Sequence, residues 1–231
     1  MSPAEFDRFT TSYEEDLAKS LAVTGEDRKF YAQRRIDWTA RCCERLKYRV
    51  RRILDYGCGD GANAPILAAA FGSEHVMGVD ISAASIALAR QANYGERVSF
   101  LCTSDWTPDG TTELAFTNGV FHHIPPSDRQ TCLAAIRRAL HPGGLFAFWE
   151  NNPWNPGTRY VMSQCAFDKN AIAISSREAR KILEQVGFKI LRTDSLFYFP
   201  HSLRLLRPTE SWLRKLPFGG QYLVLCQTPS L

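Results

Sequence analysis

Residues 53–61, Ile53-Leu54-Asp55-Tyr56-Gly57-Cys58-Gly59-Asp60-Gly61, break a short apolar strand into a glycine-rich turn that carries two carboxylates. Glycine tolerates positive φ and lets a ligand lie against bare main chain. A turn of this kind, leading from a strand into a helix, is where nucleotide-like groups sit in doubly wound α/β proteins. The acids select among such ligands. Two like charges within ~5 Å of a phosphate cost several kcal/mol at intermediate dielectric. Asp55 and Asp60 therefore disfavour a pyrophosphate and favour a ligand that is cationic at that point. Cys58 reads as a small filler of the turn.

A second group with chemical potential is His122-His123. Imidazole titrates near neutrality and can take a proton from a hydroxyl or an ammonium. His123 is the expected catalytic base, with His122 beside it as the other candidate. No metal is expected, because no carboxylate accompanies the pair at ligand spacing. The third group is Glu150-Asn151-Asn152-Pro153-Trp154-Asn155-Pro156-Gly157-Thr158-Arg159. Asparagine donates and accepts at once, and arginine suits a carboxylate or phosphate through paired hydrogen bonds. Asn151, Asn152, Trp154 and Arg159 are expected to touch a substrate.

The elements that must position these groups alternate. Strands are expected over Ile53–Tyr56, His75–Asp80, Val98–Cys102, Glu113–Thr117 and Leu145–Trp149. Helices are expected over Asn63–Phe71, from an N-cap at Ser82 to Asn93, and over Ser127–Leu140. His141-Pro142-Gly143-Gly144 reads as the stop of that last helix. Residues 151–174 read as a functional loop, Ser176–Gly187 as a helix, and Phe188–Phe199 and Gln221–Thr228 as closing strands. Strand–helix alternation at this spacing implies a parallel sheet covered on both faces. Residues 1–50 read as a mostly helical preface, and 200–220 as an insert around a short amphipathic helix.

Bulk properties narrow the class. The chain has 231 residues, 45% apolar and 23% charged, with net charge +4. This fits one globular core and demands neither nucleic acid nor a membrane as partner. Seven scattered cysteines without a Cys-x-x-Cys suit reduced thiols. The N-terminus lacks a basic run followed by an apolar one, and no apolar run reaches spanning length. A cytoplasmic location is expected, as a monomer or homodimer with no transmembrane segment.

The ordered series Asp55–Gly61, Gly78-Val79-Asp80-Ile81-Ser82, Thr103-Ser104-Asp105, Asn118–Ile124 and Leu140–Gly144 resembles the class I S-adenosylmethionine-dependent methyltransferases, in their small-molecule branch. The resemblance covers residues 50–150 strongly. It implies a Rossmann-like α/β fold: a seven-stranded mixed sheet with an antiparallel last strand and helices on both faces. It also implies a domain over residues 51–231 under an N-terminal helical lid, 1–50. Tyr13, Tyr31 and Arg34 of that lid would reach the substrate. The cofactor would be S-adenosylmethionine, whose ammonium and sulfonium match the charge argument. In that reading Gly57, Gly59 and Gly61, with Cys58 among them, give main-chain access to the methionine moiety, and Asp55 sits near its ammonium. Asp80 takes the ribose hydroxyls and Ile81 packs on the adenine. Asp105 accepts from the adenine amine beside Ser104 and Trp106, and Asn118 lies near the methyl group. Tyr56 departs from the small residue usual at its place.

The resemblance implies methyl transfer to O, N or C of a small metabolite, lipid or quinone-like acceptor. Two other functions fit parts of the chain. Gly57-x-Gly59-x-x-Ala62 with Asp80 about twenty residues on satisfies a dinucleotide fingerprint and would suit an NAD(P)-dependent oxidoreductase. Clusters at Lys47, Arg49, Arg51, Arg52 and at Arg204, Arg207, Arg214, Lys215 would suit an RNA methyltransferase. No stacking aromatics interleave with them in an obvious groove, so nucleic acid is not the expected partner. The second cluster, with Leu203, Leu205, Leu206, Trp212 and Leu213, is expected to cap the pocket.

Overall fold

The computed structural model describes residue 7 and residues 13–230, with only the backbone at 13 and 14. In chain order the elements are α1 (Tyr13–Leu21), α2 (Arg28–Arg45), β1 (Arg52–Tyr56), α3 (Ala64–Phe71), β2 (His75–Asp80), α4 (Ala83–Gln91), β3 (Val98–Cys102) and β4 (Thr112–Asn118). Then come α5 (Arg129–Ala139), β5 (Leu140–Asn151), α6 (Pro156–Gln164), α7 (Ser176–Gln185), β6 (Lys189–Leu196), α8 (Glu210–Leu213) and β7 (Gln221–Gln227).

One seven-stranded sheet runs in the order β3-β2-β1-β4-β5-β7-β6. Strands β1 to β5 pair in parallel, and β7 lies antiparallel between β5 and β6. The strand order reverses between β1 and β4, which opens a crevice at their carboxyl ends. Side chains alternate across the sheet. On β5, Leu145, Ala147 and Trp149 join one core and Phe146 and Phe148 the other. Both faces are covered, so the strand reads as an almost unbroken apolar run.

Helix α2 is built into this core. Ile36, Trp38, Cys42 and Cys43 are buried with Ile53, Phe116 and Trp149. Two indole donors tie it down: Trp149 Nε1 donates to Thr39 Oγ1 (3.0 Å) and Trp38 Nε1 to Asp194 Oδ2 (3.1 Å). Its N-terminus is capped by Asp27, whose Oδ1 accepts from Phe30 N–H.

Three expectations need correction. Residues 151–174 are no simple loop. Asn155 caps α6 by accepting from Thr158 N–H, and Pro156 occupies its first turn, where no intrahelical N–H is needed. A short 3-10 turn, Ala166–Asp168, follows. His141-Pro142-Gly143-Gly144 ends α5 but is itself extended: β5 starts at Leu140, opposite Thr112, and the register slips before Leu114 meets Leu145. The closing strand expected to reach Phe199 stops at Leu196, and Phe197 takes a positive φ of 64°.

Candidate active site

A large cavity of about 1140 Å³ opens over the carboxyl ends of β1, β2 and β4. The glycine turn after β1 forms one end. Gly57 has φ +76°, and a Cβ there would overlap the side chain of Val120, in the loop after β4. The turn is thus held against the β4 loop at the point of strand-order reversal. Gly61 has φ +80° and backs onto Phe100, where a Cβ would lie 2.5 Å from the ring. Only Gly59 faces open space, with nothing within 4 Å of a Cβ position. Close approach of a ligand to bare main chain is therefore a property of Gly59. Gly57 and Gly61 serve internal packing.

Asp80 closes the turn from β2. Gly59 N–H donates to its Oδ2 (2.8 Å) and Ser82 N–H to its Oδ1 (2.9 Å). Burial raises its pKa, and the hydrogen bonds from the backbone oppose that rise. Asp55 lies beneath the turn, 1% exposed, with Oδ2 lacking a hydrogen-bond partner. Burial, then the Asp80 and Asp60 carboxylates, push its pKa up to about 7. Asn118 at the end of β4 likewise has a buried, unpartnered Oδ1.

Asp60 behaves otherwise than its position in the sequence implies. Arg28 grips it with two bonds of 2.6 Å. Burial acts to raise the Asp60 pKa, but the Arg28 hydrogen bonds prevail and lower it. The pair is charge-neutral, so the acidity of the turn toward a ligand rests on Asp80 and on Asp55 once ionised.

The other end of the cavity is polar and deeply buried. His122 Nδ1 lies 2.7 Å from Glu150 Oε2 and His122 Nε2 lies 3.2 Å from Asp168 Oδ1. His123 Nε2 lies 3.3 Å from the same Asp168 oxygen. Glu150, at the end of β5, also accepts from Phe121 N–H (2.7 Å) and Asn151 N–H (3.2 Å). For His122, burial opposes the charge, but Glu150 and Asp168 outweigh it and push the pKa up to about 10. Burial lowers that of His123. Asp168 overturns the premise that no carboxylate stands near the two histidines. It lies far along the chain, on a turn that nothing in the local sequence marks.

Tyr31, Arg34, Gly57, Cys58, Gly59 and Asp80 line the cavity, as do Ile81, Asn118, His122, His123 and Asn151. Arg34 also pairs with the buried Glu210 (2.9 Å) of the 200–220 insert. Eight of the expected residues do not line it, among them Asp55, buried beneath the turn. Ser104 and Asp105 are exposed and bond each other (3.1 Å). Trp106 packs on Tyr56, centroids 6.0 Å apart. Asn152 is a bracket within the chain: its Nδ2 donates to Pro217 O and Gly219 O, and its Oδ1 accepts from Trp154 N–H. Trp154 and Arg159 are exposed and outside the cavity, and Gly61 faces Phe100. The Tyr13 side chain lies outside the described residues.

Sequence reasoning missed several wall residues. Tyr160, Val161, Met162 and Phe167 of α6 and the following turn line the cavity, as do Phe197 and Phe199 before the insert. Much of the second basic cluster is spent internally. Arg207 pairs with Glu26 (2.7 Å), and Lys215 approaches the buried Asp194 at 3.0 Å.

Residues 53–144 match the family model described as a methyltransferase domain. A trans-aconitate 2-methyltransferase of Rhodopseudomonas palustris (strain BisB18) is 29% identical over 119 residues, 52% of this chain and 46% of that relative. The matched stretch thus spans less than half the length of that curated relative. Among solved structures, an S-adenosylmethionine-dependent methyltransferase from Mesorhizobium loti aligns with TM-score 0.58 and 21% identity, covering 78% of this chain and 91% of that one. Phosphoethanolamine N-methyltransferase 2 of Haemonchus contortus, solved with S-adenosylhomocysteine, aligns with TM-score 0.57 and 18% identity over 79% of this chain and 50% of that one. The structural likenesses are of fold.

The reversed strand order, the glycine turn and the Asp80 anchor define a nucleotide-type crevice, and the family match says which kind. Residues 53–144 match a methyltransferase domain, and the fold is the one that S-adenosylmethionine-dependent methyltransferases share. The site fits that cofactor. Gly59 offers an open cradle, and Asp55 and Asn118 offer unpartnered buried oxygens that suit an ammonium.

Proposed function

We propose that this chain transfers the methyl group of S-adenosylmethionine to a small-molecule acceptor held in the same cavity. The observation that carries the reading is the cavity itself. It runs from the glycine turn to the histidine cluster, and at about 1140 Å³ it exceeds the ~300–1,000 Å³ common for a single small-molecule ligand. Donor and acceptor fit end to end.

Bound S-adenosylmethionine supplies an activated methyl group, and the chain's own residues align and dry the site. Ionised Asp55 and Asn118 Oδ1 hold the ammonium. Asp80 keeps its remaining lone pairs for the ribose hydroxyls, and Ile81, partly exposed in the cavity wall, covers the adenine. Tyr31 and Arg34, from the first turns of α2, close over the acceptor together with Phe197, whose ring lies 5.0 Å from that of Tyr31. The acceptor end combines apolar walls at Val161, Met162 and Phe167 with one polar pole at His122 and His123. Such a pocket suits a largely apolar molecule that presents one hydroxyl, amine or carboxylate for methylation. Apolar phenols and quinols are the first acceptors to assay. Trans-aconitate, which the curated relatives are named for, carries three carboxylates and is the contrasting acceptor to assay.

The test is a screen for methylated product with isotopically labelled S-adenosylmethionine, in wild type and His123→Ala. Label incorporated by wild type and strongly reduced in the variant supports the reading. Equal incorporation would remove the histidine pole from the acceptor site.

A further inference from the structure

We propose that His122, His123 and Asp168 form a binding site for one divalent transition-metal ion, of zinc type, at the acceptor end of the cavity. Each offers one ligand atom, and the three atoms lie within 4.8 Å of one another. The spacing suits a metal ion. Ligand atoms on a tetrahedral ion at 2.0–2.1 Å stand about 3.3–3.4 Å apart. The two edges at Asp168 Oδ1 measure 3.2 Å and 3.3 Å. Charge-assisted N–H···O bonds are shorter, about 2.7–2.9 Å, and the contact of His122 with Glu150 has that length, 2.7 Å.

The arrangement around His122 points the same way. Glu150 accepts three backbone N–H groups besides, so it is an acceptor toward His122 Nδ1. A metal ion would replace the proton between His122 Nε2 and Asp168 Oδ1, leaving the one N–H of a neutral imidazole to Glu150. A carboxylate behind a histidine, fixing its tautomer and orienting the other nitrogen, is the usual support of a metal ligand. Arg129, the nearby guanidinium, donates from Nε to the carbonyl oxygens of Phe121 and Ile124 and from Nη2 to that of Ile172.

Two neutral imidazoles and one carboxylate leave coordination positions open, as in catalytic zinc sites. All three residues line the cavity, so an open position faces the acceptor. In the methyl-transfer reading, on which this last step rests, an acceptor oxygen on the ion would lose its proton more readily. The ion then does what the sequence assigned to His123 as a base.

The experiment is a titration of the metal-stripped, cofactor-free full chain with Co²⁺, read by its visible absorption bands, followed by displacement with Zn²⁺. One Co²⁺ per chain is expected, with the bands of a low-coordinate ion that vanish on adding Zn²⁺. Glu150→Gln should weaken binding ~10–100-fold, and Asp168→Ala and His123→Ala by more. Asp168→Asn, which keeps the side-chain shape, replaces Asp168→Ala if circular dichroism shows that variant unfolded. The proposal is overturned if no stoichiometric Co²⁺ binds, or if binding survives the Asp168 and His123 substitutions and so belongs to thiols or other histidines. Because no cofactor is present, that failure would leave the methyl-transfer reading standing.

Discussion

Asp55 links cofactor binding to pH in a way that its surroundings fix. Its carboxyl is fully buried beneath the glycine turn, beside Asp80 and Asp60, and its pKa is pushed up to about 7. An ammonium can be held only by the ionised form. With that pKa, about a tenth of the cofactor-free protein is ionised at pH 6 and about nine-tenths at pH 8. The dissociation constant for S-adenosylmethionine should therefore fall about tenfold between pH 6 and pH 8, which is about 1.4 kcal/mol. Near pH 7, binding should release about half a proton. Deprotonation of the ligand's own amine acts in the opposite direction, so it cannot imitate this trend. Titration calorimetry across pH, in buffers of different ionisation enthalpy, reads both quantities. Asp55→Asn should bind more weakly at pH 8 and lose the slope. The reasoning is refuted if wild-type affinity is flat from pH 6 to 8, or if Asp55→Asn keeps the same slope. Stability has a matching sign. The folded-state pKa is raised, so stability falls as pH climbs from the ordinary carboxylate range to about 7. Asp55→Asn should accordingly raise Tm of the cofactor-free protein at pH 8.

Other outcomes follow from single contacts. Asp80→Ala should weaken cofactor binding by ~1–3 kcal/mol through lost charged hydrogen bonds, and unchanged affinity in calorimetry would remove Asp80 from the site. Gly57→Ala should cost ~1–3 kcal/mol from overpacking against Val120. Val120→Ala in the same chain should recover only part of it in urea unfolding, because the φ of +76° stays strained. Trp149→Phe should cost ~1–3 kcal/mol, since it leaves a gap and an unpaired Thr39 hydroxyl in the core; a chemical melt within error of wild type would contradict that packing. His123→Ala should lower turnover while calorimetry finds cofactor affinity near wild type.

The two ends of the cavity differed in how far they could be read from sequence. The cofactor end is written locally. An apolar strand, glycines at fixed spacing and an acid closing the next strand are contiguous signals, and β2 and β3 appear with the expected bounds. Even there the charge balance was hidden. Arg28 reaches Asp60 from 32 residues away, and only the packing of α2 reveals that the pair is neutral. The acceptor end is tertiary. Glu150 ends one strand and Asp168 sits on a later turn, and nothing in either neighbourhood marks them as partners of His122. The Asn-Pro-Gly run after β5 misled for a different reason. Its composition reads as a loop, yet Asn155 followed by Pro156 is also a helix start, and the Asn152 amide serves to bind the backbone around Gly219. The wide bulge in β5 was concealed because Pro142 and the paired glycines punctuate the helix before it.

The most direct measurement of the central claim is calorimetric titration of the purified chain with S-adenosylmethionine, S-adenosylhomocysteine and NADH side by side at pH 8. One molecule of either adenosyl-sulfur ligand per chain, with affinity weakened in Asp80→Ala and no heat from NADH, is the expected result. Binding of NADH in preference, or no uptake of either sulfur compound by folded protein, would contradict it.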